Sequence, residues 1–198
     1  MSDWRYILLV IVFVLPGCSQ QVVLEQDFPI PVMRTIQQPI TLYVSPELRS
    51  YTHSEKPEKG AQWTIFFGES NARLFESVLR GMFEPLTVVY SLDDAADDAT
   101  LIRPVMHDYQ FSTPGMSKGD YYEVWVKYSL QMLQPKNKQL LDWHFTAYGR
   151  EESSGNSASS AMQEASRRAM RDAAAAIVLG FTKQAKVREQ FGLPPVKR

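Results

Sequence analysis

Tyr121 to Tyr148 reads YYEVWVKYSLQMLQPKNKQLLDWHFTAY. Tyr122, Val124, Val126, Tyr128, Leu130 and Met132 alternate with Glu123, Lys127, Ser129 and Gln131, the period of two of a half-buried strand. PKNK, Pro135 to Lys138, reads as a turn, after which Leu141, Trp143, Phe145 and Ala147 alternate again. Two such runs about a short turn predict a long antiparallel hairpin. Trp125 breaks the polar side of the first run and projects away from Val124 and Val126. Antiparallel strands of this kind cover one face and leave the other to water or a partner.

Working outward from the hairpin, Leu101 to Phe111 is a third long strand, with Pro104 marking an edge or a bulge. Ile40–Val44, Trp63–Phe67 and Thr87–Tyr90 read as shorter strands. RSYTHSEKPEKGAQ, between the first two, is a polar loop by composition. In residues 70–83, Leu74, Phe75, Val78, Leu79, Met82 and Phe83 recur at helical spacing. Ser70 is a candidate N-cap, and Pro85 ends the helix. A second helix is expected over 157–190. Ala158, Met162, Ala165, Ala169, Ala173, Ala176 and Gly180 share one small-residue face, and Glu164, Arg167, Arg168 and Arg171 lie opposite. Its last turns are polar enough to project beyond the sheet. The order predicts an α+β fold: a largely antiparallel or mixed sheet of about five to six strands, with two helices packed on one face.

The chain of 198 residues carries 21 Lys and Arg against 22 Asp and Glu, so a nucleic-acid partner is not expected. It holds one cysteine, Cys18, which excludes a disulfide framework or a cysteine metal site. His53, His107 and His144 are not spaced as metal ligands, so no metal is expected. LDDAADDAT lacks the alternating ligands and central Gly of a calcium loop. There is no G-x-S-x-G turn and no Walker or dinucleotide glycine pattern. FGES offers backbone amides at a helix start, but Glu69 beside them disfavours an anion. Neither a catalytic residue nor a cofactor is expected.

The N-terminus carries the sharpest motif. Tyr6 to Leu15 is an apolar run about half the ~20 residues needed to cross a bilayer, and it follows a short segment holding Arg5. That layout is a secretory signal. Leu15-Pro16-Gly17-Cys18 resembles the bacterial lipobox. The resemblance implies cleavage after Gly17, a diacylglyceryl thioether on the Cys18 sulfur and a palmitate-type chain on the new amine. It also implies that Ser19, in place of Asp, sends the protein to the outer membrane. Several chains on one residue exceed the two-signal requirement for stable anchoring. The expected organisation is therefore a signal peptide at 1–17, a lipidated start and tether at 18–38, one α+β domain at 39–192 and a basic tail at 193–198. As a flexible coil, the tether would hold the domain about 25 Å from the lipid, and its apolar Val22, Val23, Leu24, Phe28 and Ile30 would allow part of it to lie on the domain or on a partner.

A lipobox, a tether and a β-α-β-β-β-α core with an Ala-rich closing helix resemble a class of small outer-membrane lipoproteins. The lipopolysaccharide-assembly lipoprotein, the auxiliary lipoproteins of envelope ABC transporters and the penicillin-binding-protein activators with a TolB-like fold are similar in layout. DDATLIRPVMHDYQF, entering a strand after an acidic loop, is of a kind common among them. The resemblance implies a non-enzymatic accessory, scaffold or regulator of an envelope machine, bound to the membrane through Cys18 and to an envelope protein partner. A lipid or glycolipid carrier with an apolar cavity is the first alternative, and an envelope hydrolase the second. Tyr, Trp and Arg are enriched in protein-binding faces, so Tyr43, Trp63, Trp125 and His144 are the candidate partner surface.

Overall fold

The computed structural model describes residues 19–195 apart from 97, 135–137 and 156. The Cys18 lipidation site, the signal peptide and most of the expected PKNK turn lie outside the described residues. In chain order the elements are β1 (Ser19–Val23), β2 (Ile40–Tyr43), α1 (Pro46–Arg49), β3 (Thr52–Glu55), β4 (Gln62–Phe66), α2 (Gly68–Met82), β5 (Leu86–Val89), β6 (Leu101–Ser112), α3 (Pro114–Ser117), β7 (Tyr121–Gln134), β8 (Lys138–Glu152), α4 (Ala158–Gly180) and α5 (Ala185–Gln190). The expected α+β class holds. The strands form a mixed five-stranded sheet in the order β5-β2-β6-β7-β8 and a three-stranded sheet in the order β1-β4-β3.

The hairpin is the antiparallel pair β7 and β8, in register from Tyr121 opposite Glu152 to Gln134 opposite Lys138. Val124, Val126, Tyr128, Leu130 and Met132 all lie on one side with no exposure. Leu74, Phe75, Leu79 and Met82 of α2, and Met162, Ala165, Ala169 and Ala173 of α4, fill the space above them. Burial of about 1.5–3 kcal/mol per large side chain drives this packing. Two tyrosines are drawn into the core with their hydroxyls satisfied. Tyr128 donates to Asn71 Oδ1 at 2.7 Å, and Tyr109 pairs with Ser166 Oγ at 3.0 Å. Burial pushes both phenols far above the usual tyrosine range.

The small-residue face of α4 works by close approach. A Cβ added at Gly149 of β8 would overlap the Ala165 carbonyl oxygen and the Ala169 nitrogen. Helix backbone therefore rests on strand backbone. On its outer side α4 also closes the edge of β8: the Tyr148 N–H donates to Asp172 Oδ2 at 2.9 Å, and Arg168 Nη1 donates to the Arg150 carbonyl at 2.8 Å.

Four expectations are corrected. Residues 19–38 are not a free tether. β1 pairs in parallel with β4, Val22, Leu24 and Phe28 are buried, and the Ser70 hydroxyl donates to the Leu24 carbonyl. The apolar side chains of this segment find a surface to cover, which outweighs the entropy of a free coil. The polar loop before Trp63 contains β3, and the residues leading into it, Pro46–Arg49, form α1; β3 pairs with β4, so Trp63–Phe67 belongs to a second sheet. Ser70 is not an N-cap, because α2 begins two residues earlier at Gly68. There a Cβ would collide with the Arg49 carbonyl. The closing helix is not continuous to Gln190. It stops at Gly180, turns through Phe181–Lys183 and resumes as α5. The break buries Phe181, Val187 and Phe191, with the Phe191 ring 4.9 Å from that of Phe83. Pro104 sits in β6 just past the two rungs, Leu101 and Ile102, that pair with β2. β6 is thus interior at its start and an edge strand beyond.

Candidate functional site

The three-stranded sheet lies on the same side of β6 and β7 as the helices. The Trp63 ring stands 5.9 Å from that of Phe111 and 6.1 Å from that of Tyr122, and Phe67 stands 5.0 Å from Tyr109. All these sheet residues share the Val124–Met132 side. On the other side, His107 and Gln110 of β6, Lys127 of β7 and His144, Thr146 and Tyr148 of β8 are exposed. The site is this open face.

Three of the four candidate surface residues lie on it. Trp125 faces out from β7 and His144 from β8. Tyr43 lies two residues beyond Thr41, which pairs with Leu101, and so shares the side of Arg103. Trp63 does not: it is 4 % exposed, clamped beneath β6 and β7 by Phe111 and Tyr122. Its aromatic character serves the contact between the two sheets.

Two clusters occupy the face. Near the start of β7, Trp125 pairs across the strands with Tyr148, their rings 5.4 Å apart. The Tyr148 hydroxyl donates to Glu123 Oε1 at 2.7 Å. Partial burial and the Glu123 carboxylate hold that phenol above its ordinary range, although Arg150 acts in the opposite sense. The Arg150 guanidinium lies 4.8 Å over the Tyr121 ring. This end is amphipathic and rich in the side chains that anchor protein partners.

Farther along, a β-bulge between Met106 and Asp108 turns His107 out of the strand pattern. Its Nε2 meets Ser129 Oγ at 2.9 Å, and its ring stacks on His144 at 5.0 Å. His144 Nε2 lies 3.5 Å from Asp142 Oδ2. Asp142 Oδ2 also accepts from Gln131 Nε2 at 3.1 Å, and Arg103 Nε donates to Gln131 Oε1 at 2.8 Å. Asp142 Oδ1 is buried without a hydrogen-bond partner among the described residues. Lys127 and Asp108, 3.3 Å apart, separate the two clusters.

A hydroxyl on an imidazole raises the question of nucleophilic catalysis. Here Ser129 is fully buried in mid-strand, and the carboxylate approaches His144, the other ring of the stack. A nucleophile needs access to a bound acyl carbon and a base oriented by a third group. Neither condition is met by this geometry, which locks side chains in place. Among the described residues no group of three or more His, Cys, Asp or Glu is placed to hold a metal ion. No helix among them is long and apolar enough to cross a membrane.

The residue that sequence reasoning missed is His107. Its strand alternates by pattern, and only the bulge sets it beside His144. The long strand containing Pro104 was the one available signal of irregularity.

No family model matches the chain, and no curated protein matches it. Solved structures with a similar layout include three bacterial lipoproteins. Rare lipoprotein B from Shewanella oneidensis is 16% identical, with a TM-score of 0.44 over 73% of this chain and 94% of that one. A minor lipoprotein from Acinetobacter baumannii is 12% identical, with a TM-score of 0.44 over 85% of this chain and 100% of that one. Lipoprotein GNA1162 from Neisseria meningitidis is 11% identical, with a TM-score of 0.30 over 83% and 99%. Likenesses at this level assign neither a family nor a function.

Proposed function

We propose that the chain is a lipid-anchored bacterial envelope protein, held through Cys18 at the periplasmic face of the outer membrane. It works without catalysis, as an accessory, scaffold or regulator of an envelope assembly or transport machine. The observation that carries this reading is the asymmetry of the five-stranded sheet. One side is filled by helices and the small sheet, and the other presents Tyr43, Trp125, Tyr148, His107 and His144 to solvent on a hydrogen-bonded floor. A carrier would need an apolar cavity between helices and sheet, but that region is occupied by Leu74, Phe75, Met162 and Met170, none of them exposed. Leu15-Pro16-Gly17-Cys18 supports the anchoring.

The test is photo-crosslinking in intact cells, with a benzophenone side chain placed at residue 43, 125 or 148, or on the outer side of α4 at residue 175. The expected result is one envelope protein joined to the first three positions and absent from the fourth. Equal labelling from all four, or none from the open face, would sink the docking face. In parallel, Cys18→Ala should move the protein from the membrane to the soluble fraction.

A further inference from the structure

On the anchoring reading just given, a single residue separates the lipid from the fold. β1 is paired from its first residue, Ser19 opposite Gln62, and continues to Val23 opposite Phe66. It is fastened from several directions. The Leu24 N–H donates to the Phe66 carbonyl at 3.2 Å, Gln163 Nε2 donates to the Val23 carbonyl at 2.8 Å, and Val22 and Leu24 are buried. A coil of twenty residues would stand the domain about 25 Å from the bilayer. One extended residue reaches at most about 3.6 Å. The bilayer surface must then meet whichever end of the domain surrounds Ser19.

The contacts identify that end. Ser19 lies beside Gln62, so the turn at 56–61 leading into β4 is there. β3 also finishes there, with Glu55 opposite Trp63. Trp63 packs on Phe111 and Tyr122, the last rungs of β6 and the first of β7. The connection between those strands, 113–120, therefore belongs to the same end. These two loops hold Lys56, Lys59 and Lys118, the acidic Glu58 and Asp120, and the exposed Met116. The end of β8 lies there too, since the Ser153 N–H donates to the Asp120 carbonyl at 2.8 Å, so Glu152 offsets the one lysine in excess and charge does not orient the domain. The short leash is what fixes the orientation.

We propose that this end, the 56–61 and 113–120 loops around Ser19, rests directly on phospholipid headgroups, and that β6, β7 and β8 rise from the bilayer. At about 3.3 Å per residue, the Trp125–Tyr148 pair lies about 13 Å above the first rung of β7, and the Ser129–His107–His144 cluster about 13 Å higher. The open face then stands upright beside the membrane, with its aromatic pair at the lower level. A partner that reads this face meets it at a fixed height, without the reach that a long tether would allow.

Because Cys18 is the only cysteine and is taken up by the lipid, one introduced cysteine gives a unique label. Lys59→Cys, Met116→Cys and, at the far end of the hairpin, Gln139→Cys are labelled with a fluorophore. The lipidated proteins are placed in vesicles of phosphatidylethanolamine and phosphatidylglycerol that carry headgroup quenchers. Intact mass reports the lipid on Cys18 separately. The expected result is loss of fluorescence at positions 59 and 116 and none at 139. A Gly-Ser insertion of about twenty residues between Cys18 and Ser19, long enough to stand the domain off the surface, should restore the fluorescence with the lipid still present. Lipidated protein with bright labels at 59 and 116, or with equal quenching at all three sites, overturns the orientation and leaves the anchoring standing. Quenching that persists in the insertion variant overturns the short leash as its cause. A mass without lipid overturns the anchoring, and the orientation with it.

Discussion

The two sides of β7 exclude water by different means. Val124, Val126, Tyr128, Leu130 and Met132 are buried by packing against α2, α4 and each other. Ser129 and Gln131, on the opposite side, are also buried, but beneath His107, Arg103 and Asp142, to which polar contacts link them. Packing tolerates little change, because the interior is close-packed. A hydrogen-bonded surface layer can exchange its partners for water. One strand therefore carries the fold on its even residues and an adaptable surface on its odd ones.

The harshest test of this contrast is Gly149→Val, which forces a branched side chain between β8 and the α4 backbone. It should cost at least about 3 kcal/mol, at the upper end for overpacking. Urea melts of a soluble variant beginning at Ser19 measure it, and an unchanged midpoint would mean that helix and strand are not in close contact. An intermediate test compares neighbours. Tyr128→Phe leaves Asn71 Oδ1 without its donor in the core and should cost about 1–3 kcal/mol. Ser129→Ala frees His107, which can turn to water, and should cost under about 1 kcal/mol. Equal losses would erase the distinction between the two sides. The smallest effect is expected for Trp125→Ala, about 0.2–1 kcal/mol for one cross-strand aromatic pair. The same substitution should abolish the crosslinks from position 148. A loss as large as that of Tyr128→Phe would show the open face to be a structural surface.

The long strands, both principal helices and the outward direction of Trp125 were legible because each writes its period locally. The three-stranded sheet was not. β3 is THSE, without an apolar residue, and β1 takes its partner from some forty positions away. Pairing of that kind leaves no mark on the sequence of either strand. Trp63 was misread for the same reason, since its burial depends on Phe111 and Tyr122. The end of α4 was hidden because Phe181, Val187 and Phe191 are apolar in a segment whose surroundings are charged. The histidine stack was hidden because an irregularity in β6, and no spacing, brings its two rings together.

The edge of β8 has a consequence for solution behaviour. A strand of fifteen residues with one free side is a template on which further chains could add, the usual route to fibrillar aggregation. Asp172 and Arg168 occupy the amide of Tyr148 and the carbonyl of Arg150, so a stacking neighbour would find those positions taken. Two charged side chains from a helix thus do what other folds achieve with a proline or an added strand. Removing both would leave the native core intact while lengthening the run of β8 open to self-association, a hazard that grows with concentration and would be greatest on a crowded surface.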